Sequence, residues 1–268
     1  MITSTSNARV KRLVNLRKKR KARDEEGVFL VEGIRMFREV PVDKLQEVYV
    51  SESFYKKEKE TVEKVLAGGN IRPELVSDTV FSHISDTKTP QGILCVVKQM
   101  DYMLEQMIQG EQRHLLVLDN LQDPGNLGTI VRTAEGAGVN GIIMSADCVD
   151  IYNPKTIRST MGSVYRMPFC YAEELPKAIE KIKQAGIHTY AAHLLGEHDY
   201  DQEDYRGSCA FFIGNEGNGL REEIAKAAQT YVKIPMSGQV ESLNAAIAAS
   251  VLMLSLIHIS EPTRLGMI

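Results

Sequence analysis

The sequence predicts an α/β protein built from two units, and three observations support this prediction. Short apolar segments alternate with segments of helical spacing along most of the 268 residues. In the second half the apolar segments are continuously hydrophobic, which is typical of a mostly parallel sheet covered on both faces. The alternation stops over residues 98–113, a polar stretch, and then restarts. We therefore predict a first unit over residues 1–97, a linker over 98–113 and a second unit from residue 114.

The first unit is predicted to begin with a basic amphipathic helix over residues 7–22. Its apolar residues form a narrow stripe among the charges, at Val10, Leu13, Val14 and Leu16. Strands and helices then alternate, with strands over 28–32, 46–50, 72–76 and 92–97 and helices over 33–40, 53–66 and 78–85. This order is typical of a compact α/β unit.

Basic residues are concentrated at the start of the chain, although the net charge is −3. Residues 9–23 include nine Lys and Arg and no acid, so a local positive field is expected that favours phosphate backbones. We predict nucleic-acid contacts at Arg9, Lys11, Arg12, Lys18, Lys19, Arg20 and Lys21. The alternative, a run of charge that is only a solvated face, stays equally open.

In the second unit, strands are predicted over residues 115–118, 141–144, 166–170, 189–192, 210–213 and 232–234. Helices are predicted to begin near Asn126, Asn153, Leu175, Leu220 and Ser242. The last strand and helix organise this unit, because Ser242 stands where an N-cap belongs and small apolar residues follow it at helical spacing. The loop between them lies at the carboxyl end of a strand, where open α/β sheets bind ligands. A strand and helix that merely pack together are the alternative.

Cysteine and histidine usage favours a reduced protein without a metal. The four cysteines form no CxxC pair and the six histidines show no metal-ligand spacing. The first residues lack the apolar core of a secretory signal, and no window approaches the ~20 apolar residues of a membrane span. We therefore expect a soluble, cytoplasmic protein.

Two further stretches carry candidate functional residues. Residues 118–137 pass from a strand through a glycine-bearing turn at Asn126 into a helix with Arg132, which can hold a phosphate bidentately. A turn-forming Asn and a solvated Arg are the alternatives. Residues 211–220 place Glu216 among glycines at the carboxyl end of a strand. Their glycine order is neither G-x-G-x-x-G nor a P-loop, which argues against a dinucleotide-dependent oxidoreductase.

Together, three spaced motifs resemble the ordered motifs of the SpoU (TrmH) family of RNA 2′-O-ribose methyltransferases, within the SPOUT superfamily. They are N-x-G-x-x-x-R-T-A at 126–134, I-G-N-E-G-x-G-L at 213–220 and I-P-M-x-G-x-V-x-S-L-N at 234–244. The stretches RSTMGS at 158–163 and FLVEG at 29–33 extend the resemblance, which covers roughly residues 7–256.

The resemblance implies a C-terminal methyltransferase domain over residues 114–256, with a parallel sheet and a deep trefoil knot. It also implies an L30e-like α/β domain that binds RNA at the N-terminus, and a homodimer whose active site takes residues from both subunits. The implied cofactor is S-adenosylmethionine, with contacts at Gly214, Ile234, Met236, Leu243 and Asn244. The implied reacting side holds Asn126, Arg132, Glu216, Ser242 and Asn244.

The implied reaction is methyl transfer from S-adenosylmethionine to the 2′-hydroxyl of a ribose in structured RNA, with 23S ribosomal RNA favoured. Transfer RNA and a catalytically silent RNA-binding or ribosome-assembly protein are the alternatives. A guanidinium stays protonated, so we interpret Arg132 as a clamp on the adjacent phosphate rather than as the base. Glu216 is expected to orient Arg132 or Asn126, although a carboxylate in a closed site can have a raised pKa. Water or a phosphate oxygen would accept the proton.

The last residues depart from the family pattern. Residues 257–268 read IHISEPTRLGMI, with Pro262 and Gly266 close together. Because proline disrupts a helix interior, we expect that the last helix does not continue into this segment, which we treat as an atypical tail.

Overall fold

The structure, a computed structural model, describes residues 1–67, 71–196 and 198–260, with the backbone alone for 258–260. The chain forms two compact units. The first comprises Met1–Met100 together with Asp150–Tyr165, and the second comprises Asp101–Val149 and the described residues from Arg166 onward. In the part of the chain that the structure describes, no helix combines the length and apolar character needed to cross a membrane. All four cysteines are free.

Helices and strands alternate along the first hundred residues. In chain order they are α1 (Ala8–Lys18), α2 (Arg20–Glu26), β1 (Val28–Glu32), α3 (Ile34–Glu39), β2 (Leu45–Ser51), α4 (Glu52–Leu66), β3 (Glu74–Val76), α5 (Asp78–Ile84) and β4 (Ile93–Lys98). The strands form one mixed sheet in the order β1-β4-β2-β3, in which only the β2–β3 pair is parallel among the described residues. The helix predicted over 7–22 is two helices, because Lys19 between them adopts an extended backbone conformation.

The remaining elements belong to residues 101–260. In chain order they are α6 (Leu104–Met107), β5 (His114–Leu118), α7 (Pro124–Gly136), β6 (Gly141–Ser145), α8 (Pro154–Thr160), β7 (Phe169–Ala172), α9 (Leu175–Gln184), β8 (His188–Ala192), β9 (His198–Asp199), β10 (Cys209–Ile213), α10 (Glu222–Ala227), β11 (Thr230–Lys233) and α11 (Ala245–Ser260). The short strand β9 was not predicted. The strand predicted over 166–170 begins only at Phe169.

The second unit is built on a parallel sheet with the strand order β7-β6-β5-β10-β8-β11-β9. Neighbouring strands are parallel throughout this order, as predicted. The order in which the chain adds strands to the sheet reverses between β5 and β10. After β5 the chain adds β6 and then β7 on one side, whereas β8 lies on the other side, beyond β10. In open α/β sheets such a reversal opens a crevice at the carboxyl ends of the strands. The trefoil knot stays a prediction.

The core of this unit explains the continuous apolar strands. Alternate residues of one strand face opposite sides of the sheet, so both faces need apolar cover. Leu115 and Val117 of β5 pack with α9 and α10 in one buried cluster. Leu116 and Leu118 point to the opposite face and are likewise fully buried. Helix α11 packs against α7 and β10.

The predicted start and end of the last helix were both wrong. Ser242 does not cap α11; Asn244 does, because its Oδ1 accepts hydrogen bonds from the backbone N–H groups of Ala246 (2.9 Å) and Ile247 (3.3 Å). The helix also runs past residue 257 to Ser260, two residues before Pro262. Proline disrupts a helix when it lies inside it and disfavours helical conformation at the residue directly before it, so a helix that ends at Ser260 is compatible with Pro262. Residues 261–268 lie outside the described residues.

The segment Asp150–Tyr165 packs with the first unit, although it lies between β6 and β7 in sequence. The Asp150 carboxylate forms an ion pair with Arg23, which is 4% exposed. The ring of Tyr152 stacks on Phe29 with centroids 4.6 Å apart, and its hydroxyl accepts a hydrogen bond from the Met100 N–H at 2.8 Å. These residues fall inside the range 114–256 predicted for the catalytic domain. The predicted domain limits stay a prediction.

Candidate active site

A cleft of about 340 Å³ lies in the second unit, at the carboxyl ends of β8, β10 and β11. Its walls come from the loops after these strands and from the start of α11. The volume falls in the range of about 300–1,000 Å³ that is usual for small-molecule sites. The cleft lies beside the point between β5 and β10 at which the order of strands reverses, and open α/β folds bind ligands at such a point.

The loop after β10 closes on itself. The backbone N–H of Asn215 donates to Gly219 O at 2.9 Å, and the N–H of Gly219 donates back to Asn215 O at 3.0 Å. Gly219 adopts a φ of +68°, which favours glycine. A side chain at Gly214 would overlap the backbone of Gly219 and Leu220, so the loop can close this tightly only with glycine at position 214.

Most predicted cofactor residues meet in the cleft. Gly214, Ile234, Met236 and Leu243 line it, whereas Asn244 does not. The sequence missed a further wall, formed by His193 and the residue after it in the loop that follows β8. Position alone could have indicated these two residues, because they directly follow the carboxyl end of a predicted strand of the same sheet.

The Glu216 carboxylate is held by three donors. One oxygen accepts from the backbone N–H of Asp123 (2.9 Å) and from the side-chain amide of Asn126 (3.0 Å), and the other accepts from the N–H of Gln122 (3.1 Å). Burial acts to raise the pKa of Glu216, but the hydrogen bonds outweigh it and the pKa lies below its usual range. Glu216 is therefore ionised at neutral pH, contrary to the raised pKa considered from the sequence.

Asn126 links two of the motifs. Its side-chain amide donates to Glu216, and its Oδ1 accepts from the side-chain amide of Asn244 at 3.1 Å. The backbone N–H of Asn126 donates to Asp123, the N-cap of α7, at 2.8 Å, so this helix begins at Pro124, close to the predicted start near Asn126. A chain of hydrogen bonds thus runs from Glu216 through Asn126 to Asn244. The sequence predicted the contact between Glu216 and Asn126 but not the contact between Asn126 and Asn244.

The two other predicted reacting residues lie apart from this chain. Ser242 lines the cleft and is exposed. Arg132 lies on the third turn of α7, and it is exposed. Within residues 1–67, 71–196 and 198–260, the Arg132 side chain makes no hydrogen bond and no ion pair. Its guanidinium is therefore available to a ligand.

In the first unit, the basic residues predicted to contact nucleic acid divide into two groups. Arg9 pairs with Glu74 (2.8 Å), and Arg12 pairs with Glu26 and Glu47 (2.6 and 2.7 Å). Arg20 and Lys21 pair with acids one turn further along α2. The other group is exposed and forms no ion pair with the described part of the chain: Lys11, Lys18 and Lys19. Among the described residues there is no cluster of His, Cys, Asp and Glu that could hold a metal ion.

Comparison with known families and proteins gives consistent matches. Residues 113–254 match the model of the SpoU rRNA Methylase family, and residues 7–95 match an MRM3-like substrate binding domain. A relative from Bacillus subtilis, 23S rRNA (guanosine(2553)-2′-O)-methyltransferase RlmP, is 32% identical over 94% of this chain and 96% of its own length.

Solved structures agree with this result. The AdoMet-bound rRNA methyltransferase from Sinorhizobium meliloti superimposes with a TM-score of 0.83 at 30% identity, covering 95% of this chain and 96% of that one. The SpoU methyltransferase AviRb from Streptomyces viridochromogenes shares the fold, with a TM-score of 0.85 at 23% identity over 96% of this chain and 98% of that one. The family resemblance of the three motifs is confirmed, and the chain belongs to the SpoU rRNA methylase family.

Proposed function

We propose that this chain transfers a methyl group from S-adenosylmethionine to the 2′-hydroxyl of a ribose in RNA, and that its substrate is 23S ribosomal RNA. The observation that carries the proposal is the chain of hydrogen bonds from Glu216 through Asn126 to Asn244, beside the cleft. The substrate is inferred from the Bacillus subtilis relative, which is named for this activity. Because ribosomal RNA is cytoplasmic in bacteria such as that relative, we infer the same location for this chain.

The cleft suits S-adenosylmethionine in chemistry as well as size. Leu194, Ile234 and Leu243 provide apolar surface for an adenine ring, and the closed loop that begins at Gly214 lines the same cleft. Glu241 adds a carboxylate to the wall, which complements a cationic ligand. When bound, S-adenosylmethionine supplies a methyl group that its sulfonium already makes electrophilic.

The protein's own contribution is placement and charge. Glu216 is not suited to accept the hydroxyl proton, because its pKa is lowered and three donors already occupy its oxygens. It instead fixes Asn126, which in turn fixes Asn244 at the start of α11. Arg132 remains free to bind the neighbouring phosphate and to favour negative charge on the 2′ oxygen. Water or a phosphate oxygen would then accept the proton, and alignment of the hydroxyl would supply most of the rate.

Calorimetric titration with S-adenosylhomocysteine, followed by a methylation assay, tests the proposal. We expect saturable binding of S-adenosylhomocysteine and none of a nicotinamide dinucleotide, then labelling of 23S RNA transcripts at a 2′ oxygen. Labelling of transfer RNA alone would change the substrate. Binding of RNA without labelling would favour the catalytically silent alternative, and a folded protein that does not bind S-adenosylhomocysteine would contradict the enzymatic function.

Substitution of Gly214 tests the cofactor site. In Gly214→Ala the new methyl group would collide with the backbone of Gly219 and Leu220, so we expect affinity for S-adenosylhomocysteine to fall at least about tenfold in calorimetry, since misplaced contacts are easily worth ~1.4 kcal/mol. Gly217→Ala is the matched control, because the nearest atom to its added carbon is 3.6 Å away. Equal affinities of the two variants would remove Gly214 from the cofactor site.

We also propose that Lys11, Lys18 and Lys19 contact RNA phosphates, whereas the ion-paired basic residues mainly stabilise the first unit. Lys11, Asn15 and Lys18 follow at helical spacing and are exposed on one face of α1. Replacing the three lysines with Gln should weaken RNA binding and reduce the slope of log affinity against log salt by about 2, at roughly 0.7 per phosphate contact. The triple Gln variant of Lys56, Lys59 and Lys64 on α4 removes the same charge and should leave the slope unchanged. An unaltered slope in the first variant would contradict the RNA contacts and favour the alternative, in which the basic residues of α1 form only a solvated face.

The proposed homodimer rests on the outer face of α11. Ile247, Leu254 and Ile257 are exposed there at helical spacing, with exposed fractions of 51%, 40% and 36%, while the opposite face packs on α7 and β10. Such apolar exposure on a helix is suited to a second copy of the chain. We expect a dimer by light scattering and a monomer for Leu254→Asp. A monomeric wild-type protein would contradict this.

A further inference from the structure

Asp119, at the end of β5, is a buried acid that the catalytic proposal leaves without a role. It is fully buried and directly follows β5, shortly before the motif that begins at Asn126. Its carboxylate binds Arg221 in two ways: one oxygen accepts from the guanidinium, with Nε at 2.8 Å, and the other accepts from the Arg221 backbone N–H at 2.9 Å. A buried carboxylate requires such partners.

Arg221 directly follows the closed loop that carries Glu216. The loop is therefore tied to the end of β5 on its carboxyl side. On its amino side, the side-chain amide of Asn215 donates to Asn120 O at 2.8 Å. Residues 119 and 120 thus hold both ends of the loop.

The residue after Asp119 adopts a left-handed backbone conformation. Asn120 has a φ of +53°, a region that asparagine enters more readily than most other non-glycine residues. Its backbone N–H donates to Ser145 Oγ at 2.9 Å, and Ser145 donates to Asp147 at 2.5 Å. Arg221 also lies 3.4 Å from Asp147, so the same basic side chain joins both carboxylates of this network.

We propose that Asp119 and Arg221 are positioning residues of the methyl-transfer site, which hold the loop so that Glu216 meets Asn126. This inference rests on the proposed function. Without the tie, the loop would lose its attachment at Arg221, and Glu216 would no longer be held against its three donors. Asn126 would then lose the acceptor that orients its side-chain amide toward Asn244.

The exposure of Arg221 makes the proposal testable by chemical rescue. Its side chain is 42% exposed, and it lines an open cleft of about 390 Å³ with Asp147 and Glu223. Removing the side chain therefore leaves a solvent-accessible space next to Asp119. A guanidinium ion from solution can enter it and replace the missing group.

The test compares Arg221→Ala with Arg206→Ala, whose side chain pairs with an exposed acid in the same unit. In Arg221→Ala we expect kcat for RNA methylation to fall by about 100-fold, the usual effect of small misplacement, with KM for RNA and affinity for S-adenosylhomocysteine changed less than about threefold. Low concentrations of guanidinium chloride should restore part of kcat. Arg206→Ala should keep wild-type kcat and show no rescue. Arg221→Lys, which keeps the charge but not the fork of donors, should lose about tenfold.

Hydrogen exchange provides a measurement that does not depend on activity. Faster exchange at residues 119–123 in Arg221→Ala, reversed by guanidinium, supports the proposal even if the wild-type protein proves inactive, which would contradict only the proposed function. Unchanged kcat or unchanged exchange in Arg221→Ala would overturn the positioning role. A loss of kcat without rescue, parallel to loss of thermal stability, would assign Arg221 a purely structural role and likewise overturn it.

Discussion

Replacing Arg132 with Ala is expected to lower kcat for methylation by about 100- to 1,000-fold, the cost of removing one donor to developing negative charge. The affinity for S-adenosylhomocysteine should stay unchanged, because Arg132 does not line the cleft. Stability should also stay unchanged, because the side chain is exposed and has no partner among the described residues. Single-turnover kinetics with labelled cofactor would measure the effect.

Arg132→Lys is the informative companion variant. It keeps the positive charge but cannot bind a phosphate bidentately, so an intermediate kcat is expected. If both variants keep wild-type kcat, Arg132 has no part in the reaction. If Arg132→Ala loses activity only through weaker RNA binding, the clamp acts on substrate affinity rather than on the transition state, and KM rather than kcat would change.

Replacing Asp150 with Ala is expected to destabilise the protein by about 3–5 kcal/mol, because it leaves the buried Arg23 charge without its partner. Arg23 Nε has no hydrogen-bond partner among the described residues, so in the variant the guanidinium would keep the neutral carbonyl oxygens of Leu16 and Arg17 as acceptors but no carboxylate. Urea unfolding would report a lower free energy of unfolding.

Two variants make this measurement specific. Asp24→Ala removes the exposed partner of Arg20 and should cost less than about 1 kcal/mol. The double variant Arg23→Met with Asp150→Leu replaces the buried pair by apolar groups and should recover most of the loss. An Asp150→Ala protein as stable as the wild type would show that water reaches Arg23 and that the pair contributes little.

The parallel sheet could be predicted because its strands are buried on both faces and therefore read as continuous apolar runs. The limits of helices were less predictable where several residues could serve as caps. Both Ser242 and Asn244 are good N-cap residues, and local pattern could not choose between them. The choice is explained by a contact 118 residues away in sequence, the hydrogen bond from Asn244 to Asn126.

The same limit applies to charge. The basic run between residues 9 and 23 indicated a positive field, but the acids that neutralise Arg9 and Arg12 come from elsewhere in the fold. Glu74 is 65 residues away and Glu47 is 35 residues away. Only tertiary structure could separate the ion-paired basic residues from Lys11, Lys18 and Lys19. The motifs identified the residues around the cleft, whereas Arg221 lacked a signal because its partner Asp119 is far away in sequence.

The packing of residues 150–165 with residues 1–100 has a consequence for protein engineering and for the exchange of parts between relatives. The first unit is encoded in two separate pieces, so a single crossover near residue 100 cannot transfer it intact. Consider a chimera that takes residues 1–100 from a relative but keeps the native residues 150–165. In it, the relative's residues at positions 23, 29 and 100 would have to pack against the native Asp150 and Tyr152. To transfer the first unit from one relative to another, residues 1–100 and 150–165 must be exchanged together. In a library of shuffled genes, we expect a correctly packed first unit only in chains that take both segments from the same parent.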